Sequence, residues 1–148
     1  MKKIAIDAMG GDHAPQAIID GILKVRPELP DVTFVLYGDP DKIAASLGDA
    51  SRDQIEIVAT TEEILGEDEP VKAIRQKKDS SMVVAATAVK NHEADAFLSL
   101  GNTGAVLASG IFIVGRIKGV KRPALMPTLP VSSSADGFTL IDAGANAA

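Results

Sequence analysis

Four short segments of this 148-residue chain hold the residue types that do chemistry. Asp7-Ala8-Met9-Gly10-Gly11-Asp12-His13 sets two carboxylates and an imidazole in a glycine-rich loop. Carboxylates so spaced can bind a metal, hydrogen-bond a ligand hydroxyl or cap the loop. His13 either moves protons near neutral pH or is a solvated residue leading into the helix after Pro15. Ser99-Leu100-Gly101-Asn102-Thr103-Gly104 places an amide and a hydroxyl between glycines, where backbone can approach a ligand closely. With Thr103 opening a helix, free N–H groups there suit phosphate or an oxyanion. The same residues also make an ordinary strand–helix turn that Asn102 or Thr103 caps. Gly38-Asp39 and Asp142-Ala143-Gly144-Ala145-Asn146 complete the set.

The basic residues form two groups. Lys72, Arg75 and Lys78, three apart, share a face if helical, and Lys77 lies beside them. That face is a clamp for phosphate or an acidic protein, or simply a solvated surface. Arg116, Lys118, Lys121 and Arg122 make the second group, and His92 reads as a surface residue. The absence of cysteine removes a disulfide scaffold, thiolate metal ligation and a cysteine nucleophile. A net charge of −5 and 3% aromatics disfavour nucleic-acid binding. No G-x-G-x-x-G follows the first strand, so a nicotinamide-dependent dehydrogenase is disfavoured as well. The uncharged run over residues 104–115 falls short of the roughly 20 residues a membrane-spanning helix needs. Asp7 interrupts any leader-like apolar stretch behind Lys2-Lys3, so the expected location is cytoplasmic.

The elements that must position these loops follow from periodicity. Lys3–Asp7, Val32–Tyr37, Ile55–Val58 and Ala96–Leu100 read as strands, and helical patterns separate them over 17–25, 40–48, 71–77 and 80–91. Gly48 suits a helix C-cap, Ser80 and Ser81 suit N-caps, and 60–69 is an acidic loop. Thr103–Ile117 reads as one apolar helix; Ala124–Met126 and Phe138–Ile141 read as two more strands. Strands alternating with helices imply parallel βαβ units in an α/β fold, a helix–sheet–helix sandwich forming one folding unit over 1–148. All four chemical segments then follow strands, where open parallel sheets bind ligands.

Assembled in order, these segments resemble the PlsX family, the phosphate acyltransferases of bacterial fatty-acid and phospholipid synthesis. The likeness rests on Ile6 to Pro15, on Gly38-Asp39, and on Ala73-Ile74-Arg75 with Lys77 to Met82. It extends through Ser99 to Ala105, Lys121-Arg122-Pro123-Ala124 and Asp142 to Asn146. The resemblance implies a three-layer α/β/α sandwich, similar to isopropylmalate dehydrogenases and phosphotransacetylases, and a homodimer. It implies that the chain corresponds to about the amino-terminal half of a family member. The implied reaction moves an acyl group from acyl carrier protein to inorganic phosphate without a cofactor or metal. The acyl phosphate then serves a membrane-bound glycerol-3-phosphate acyltransferase, and peripheral contact with the membrane is expected through parts not in this chain. His13, Asp12, Asn102 and Asn146 become the expected catalytic residues. Asp7, Gly10, Gly11, Arg75, Lys78, Ser81, Gly101, Thr103, Gly104 and Asp142 become the expected substrate-binding set. A coenzyme A-dependent phosphate acyltransferase and a non-catalytic half-domain that binds ligand or partner are the competing expectations.

Overall fold

A computed structural model describes residues 1–132 and 134–141 of the protein. The chain falls into two compact units, Met1–Gly115 and Arg116–Ala148.

The first unit is built on four parallel strands, β1 (Lys2–Asp7), β2 (Val32–Gly38), β3 (Ile55–Ala59) and β4 (Ala96–Leu98), in the order β3-β2-β1-β4. Side-chain alternation assigns each strand two faces. Ile6, Phe34 and Leu36 point to one side, where they bury Ile18, Ile19 and Ile22 of α1 (Gln16–Val25) and Ile43 and Leu47 of α2 (Pro40–Leu47). Ala5, Val35 and Tyr37 point to the other, against Ala85 and Ala88 of α4 (Ser81–Lys90). Alanines on both sides of this contact let α4 lie close to the sheet. The result is the α/β/α sandwich expected from the alternation of patterns.

β1 sits at the reversal of strand order. The chain moves outward from β1 through β2 to β3. It then returns through α3 (Pro70–Gln76) and α4 to place β4 on the other side of β1. The connections after β1 and β4 lead to helices in different core clusters and leave a crevice at the carboxyl edge, the usual ligand position in such sheets.

Three expectations change. The apolar helix predicted over Thr103–Ile117 is α5 only over Thr103–Ser109; a π-helical turn, Gly110–Val114, continues it. Gly110 and the β-branched Ile111, Ile113 and Val114 are weak helix formers, and the backbone N–H of Gly115 bonds Gly110 O at 2.9 Å, five residues back. Ala124–Met126 is not a strand; pairing starts after Pro127, which lacks an N–H to donate. In the second unit β5 (Thr128–Val131) and β6 (Ser134–Thr139) form an antiparallel hairpin, with Leu129 opposite Phe138 and a register shift between Leu129 and Val131. The segment around Phe138 thus pairs locally rather than adding a parallel strand.

Candidate functional site

Asp7, the last residue of β1, is 2% exposed and organises the carboxyl edge. Its two oxygens accept from hydroxyl and N–H donors of three segments. The Ser81 hydroxyl donates to Oδ1 at 2.5 Å, the Met9 N–H donates to Oδ1 at 3.3 Å, and the Ser99 hydroxyl donates to Oδ2 at 2.7 Å. Having given its proton to Asp7, Ser99 Oγ accepts the Gly101 N–H at 3.0 Å. One carboxylate thereby ties the end of β1 to the first turn of α4 and to the loop after β4.

The two glycine loops meet above it. A Cβ on Gly10 would collide with Asp7 Oδ2 and come within 2.9 Å of Ser99 Oγ; one on Gly101 would lie 3.1 Å from Gly10 Cα. Backbone packs against backbone here, which only glycines permit. At the next helix, Gly104 faces Pro70, the first residue of α3, so closely that a Cβ would lie 2.6 Å from its Cγ.

Asn102 caps α5 and does a second task. Its Oδ1 accepts the Ala105 N–H at 3.0 Å. Its Nδ2 points at three carbonyl oxygens of the acidic loop, those of Leu65, Gly66 and Asp68, at 3.2, 3.1 and 3.0 Å. The loop is held from its other side by Lys77, whose Nζ donates to Glu63 O at 3.0 Å and to the Asp68 carboxylate. Hydrogen bonding from Lys77, and then from the Leu65 N–H, holds the Asp68 carboxyl below the usual carboxylate range. Asp79 does the same at the loop's start: its carboxylate accepts the Thr61 hydroxyl and N–H, and its pKa is lowered by them.

Between these walls lies a cleft of about 600 Å³. The first loop contributes Met9, Gly11 and Asp12; the acidic loop contributes residues 64–67; the fourth contributes residues 100–104. The N–H groups of Thr103 and Gly104 stand in the first turn of α5, ahead of the point where intrahelical bonding begins. The lining carries two carboxylates, Asp12 and Glu67, and no lysine or arginine among the described residues.

A family model described as fatty acid synthesis protein matches residues 2–148. The chain belongs to that family. It is 68% identical over 147 residues to the phosphate acyltransferase of Lactobacillus delbrueckii subsp. bulgaricus, covering 99% of this chain and 44% of that protein. Against the phosphate acyltransferase of Lactobacillus gasseri it is 64% identical over 147 residues, with the same coverage. The Latilactobacillus sakei enzyme of that name is 57% identical over 145 residues, 98% of this chain and 42% of its own length. The chain thus spans less than half the length of the curated relatives it matches.

In this member of the fatty acid synthesis family, the expected site residues separate into three groups. Gly11, Asp12, Gly101, Asn102, Thr103 and Gly104 line the cleft. Asp7, Gly10 and Ser81 lie beneath it, buried, where they hold the loops rather than face a ligand. His13, Arg75 and Lys78 are exposed outside the lining. The guanidinium of Arg75 stacks over the Phe112 ring at 5.7 Å, and Lys78 Nζ donates to Ile74 O at 3.2 Å. Lys72, Arg75 and Lys78 do not share one helical face, because α3 ends at Gln76 and Lys78 follows its C-cap. Asp142 and Asn146 lie outside the described residues. Sequence reasoning assigned no separate role to Ser99, Lys77 or the two leucines of the cleft, Leu65 and Leu100. For Ser99 a signal existed: a carboxylate at the inward end of a buried strand requires donors, and hydroxyls in the following loops supply them. No helix among the described residues is long and apolar enough to cross a membrane.

Proposed function

We propose that the chain serves acyl transfer to phosphate: an acyl thioester on acyl carrier protein reacts with inorganic phosphate, giving acyl phosphate and free thiol. The observation that carries this reading is the cleft at the reversal of strand order, where the first-turn N–H groups of α5 face space lined by two carboxylates and no cation. Those carboxylates disfavour a free phosphate dianion resting among them and tolerate a neutral thioester. The thioester carbonyl therefore takes the place at Thr103 and Gly104. A phosphate oxygen attacks the carbonyl carbon, negative charge develops on the carbonyl oxygen, and the two N–H groups stabilise it. The C–S bond then breaks and its electron pair leaves with sulfur as thiolate. Phosphate is already anionic at neutral pH, so this chemistry needs positioning more than a strong base, and needs neither cysteine nor cofactor. Asp12, His13 and Asn146 form the orienting set of this reading, Asp12 by accepting the P–OH hydrogen of the incoming phosphate. The exposed Lys72, Arg75 and Lys78 suit a different task, contact with a strongly acidic carrier protein. The acyl phosphate made by a homodimeric cytoplasmic enzyme would pass to a glycerol-3-phosphate acyltransferase at the membrane.

The test uses a form of the protein as long as its relatives, with acyl-acyl carrier protein and phosphate, and traps acyl phosphate as its hydroxamate. Phosphate-dependent hydroxamate is the expected result; its absence overturns the reading. Acyl-coenzyme A in place of the carrier thioester decides between the two acyl donors.

A further inference from the structure

We propose that Leu65 and Leu100 are the acyl-chain contacts of the cleft, two apolar lips that take methylenes of the acyl chain beyond those nearest the thioester carbonyl. This rests on the acyl-transfer reading and adds the part of the substrate that it leaves unplaced.

Leu65 is 43% exposed and Leu100 is 62% exposed, and both line the same cleft from different loops. A single exposed leucine is unremarkable on a protein surface, whereas apolar side chains gathered around a concave site mark a ligand. Neither leucine is exposed because its loop is loose. The Leu65 N–H donates to Asp68 at 2.8 Å and its carbonyl accepts from Asn102 at 3.2 Å. Its neighbour Ile64 turns the other way, 5% exposed, into the core formed by Ile74, Met82 and Ala105. The carbonyl of Leu100 packs against Gly11, where an added Cβ would stand 3.0 Å from it. Both side chains are thus presented on pinned backbone, so that a ligand meets them without the cost of ordering a loop.

The remaining lining agrees with this assignment. Met9 adds further apolar surface to the same lining. Asp12 and Glu67 repel an anionic ligand end but leave a neutral acyl thioester unpenalised. A chain attached to a carbonyl at Thr103–Gly104 shares the cleft with both leucines.

The experiment measures binding of S-butyryl-pantetheine and S-octanoyl-pantetheine to a form of the protein as long as its relatives by titration calorimetry. Each buried methylene strengthens binding by roughly fourfold, so the octanoyl thioester is expected to bind tighter by about tenfold or more, with its methylenes partly covered. The double variant L65S/L100S is expected to reduce that gap to less than about threefold, with octanoyl binding weakened more than butyryl binding. L98S, at a leucine that is 46% exposed on β4 but outside the cleft lining, should keep the full gap. A gap that survives in L65S/L100S, or that is missing from the unsubstituted chain while both thioesters bind, overturns the assignment of the lips alone. Failure of both thioesters to bind overturns the acyl-transfer reading on which it rests.

Discussion

Asp7 shows how one residue decides the geometry of three loops. Its carboxylate accepts from Ser81, Ser99 and Met9 in a buried place, so replacing Asp7 with Asn turns an acceptor into a partial donor facing two hydroxyls. Asp7→Asn is expected to destabilise the chain by about 2–3 kcal/mol, read from urea denaturation, because bonds to a charged acceptor are the stronger kind. Gly10→Ala tests the same knot from outside. The new methyl group meets Asp7 Oδ2 and Ser99 Oγ, and a loss of about 1–3 kcal/mol is expected by the same measurement. Asn102→Ala removes the cap of α5 and three loop contacts together. It should cost about 1–2 kcal/mol and speed amide hydrogen exchange at Leu65 and Asp68. Exchange unchanged there would show that Lys77 alone holds the loop. Two carboxylates and an asparagine in glycine loops were legible in the sequence as chemistry-bearing. That Asp7 and Asn102 spend their side chains on structure was not, since the partners lie 92 and 34 residues away, respectively, in Ser99 and Asp68.

At the scale of elements, β1 and β2 are covered on both faces, and the two covers differ in tolerance. On the α1–α2 side large aliphatic chains interlock, and Ile19 is fully buried. Ile19→Ala is expected to cost about 2–5 kcal/mol, with the spread set by how far the site collapses. On the α4 side the contact is alanine against sheet, and Ala85 is also fully buried. Ala85→Leu should lower the thermal midpoint through overpacking and displace α4, the helix that delivers Ser81 to Asp7. Periodicity revealed the four strands and five α-helices of the first unit through their apolar patterns, but not the 3-10 turn Arg26–Glu28. It failed after Gly110, where an apolar run is consistent with helix, π turn or strand alike.

For the whole molecule, pH acts through carboxylates distributed along the chain. Hydrogen bonding from Thr61 and Lys77 lowers Asp79 and Asp68, and Lys2 lowers Asp95 at the opposite end of the sheet. A carboxyl with a lower pKa folded than unfolded stabilises the fold above the unfolded value and ceases to do so as pH falls through the folded one. Stability should therefore hold near neutrality and decline below about pH 4. The triple variant D68N/D79N/D95N should show a flatter decline between pH 4 and pH 2 in urea midpoints. An equally steep decline would assign acid unfolding to other groups. Lys2 behaves oppositely: its pairing with Asp95 raises its pKa, so its contribution is lost only as pH rises through that value.

The sequence by itself determined the α/β alternation, the acidic, cysteine-free composition, the glycine loops at the ends of strands and the family these motifs belong to. Those are properties of local pattern, which periodicity and turn chemistry encode within a few residues of each other. Only the tertiary structure decided that β4 lies beside β1, and that choice creates the crevice. It also decided that Arg75 lies over Phe112 outside the cleft, that Lys77 and Asn102 share the holding of one loop, and that Leu65 and Leu100 face one cavity. Those outcomes depend on contacts between residues far apart in the chain, where hydrogen-bond direction, close backbone approach and burial act together and no local pattern records the result.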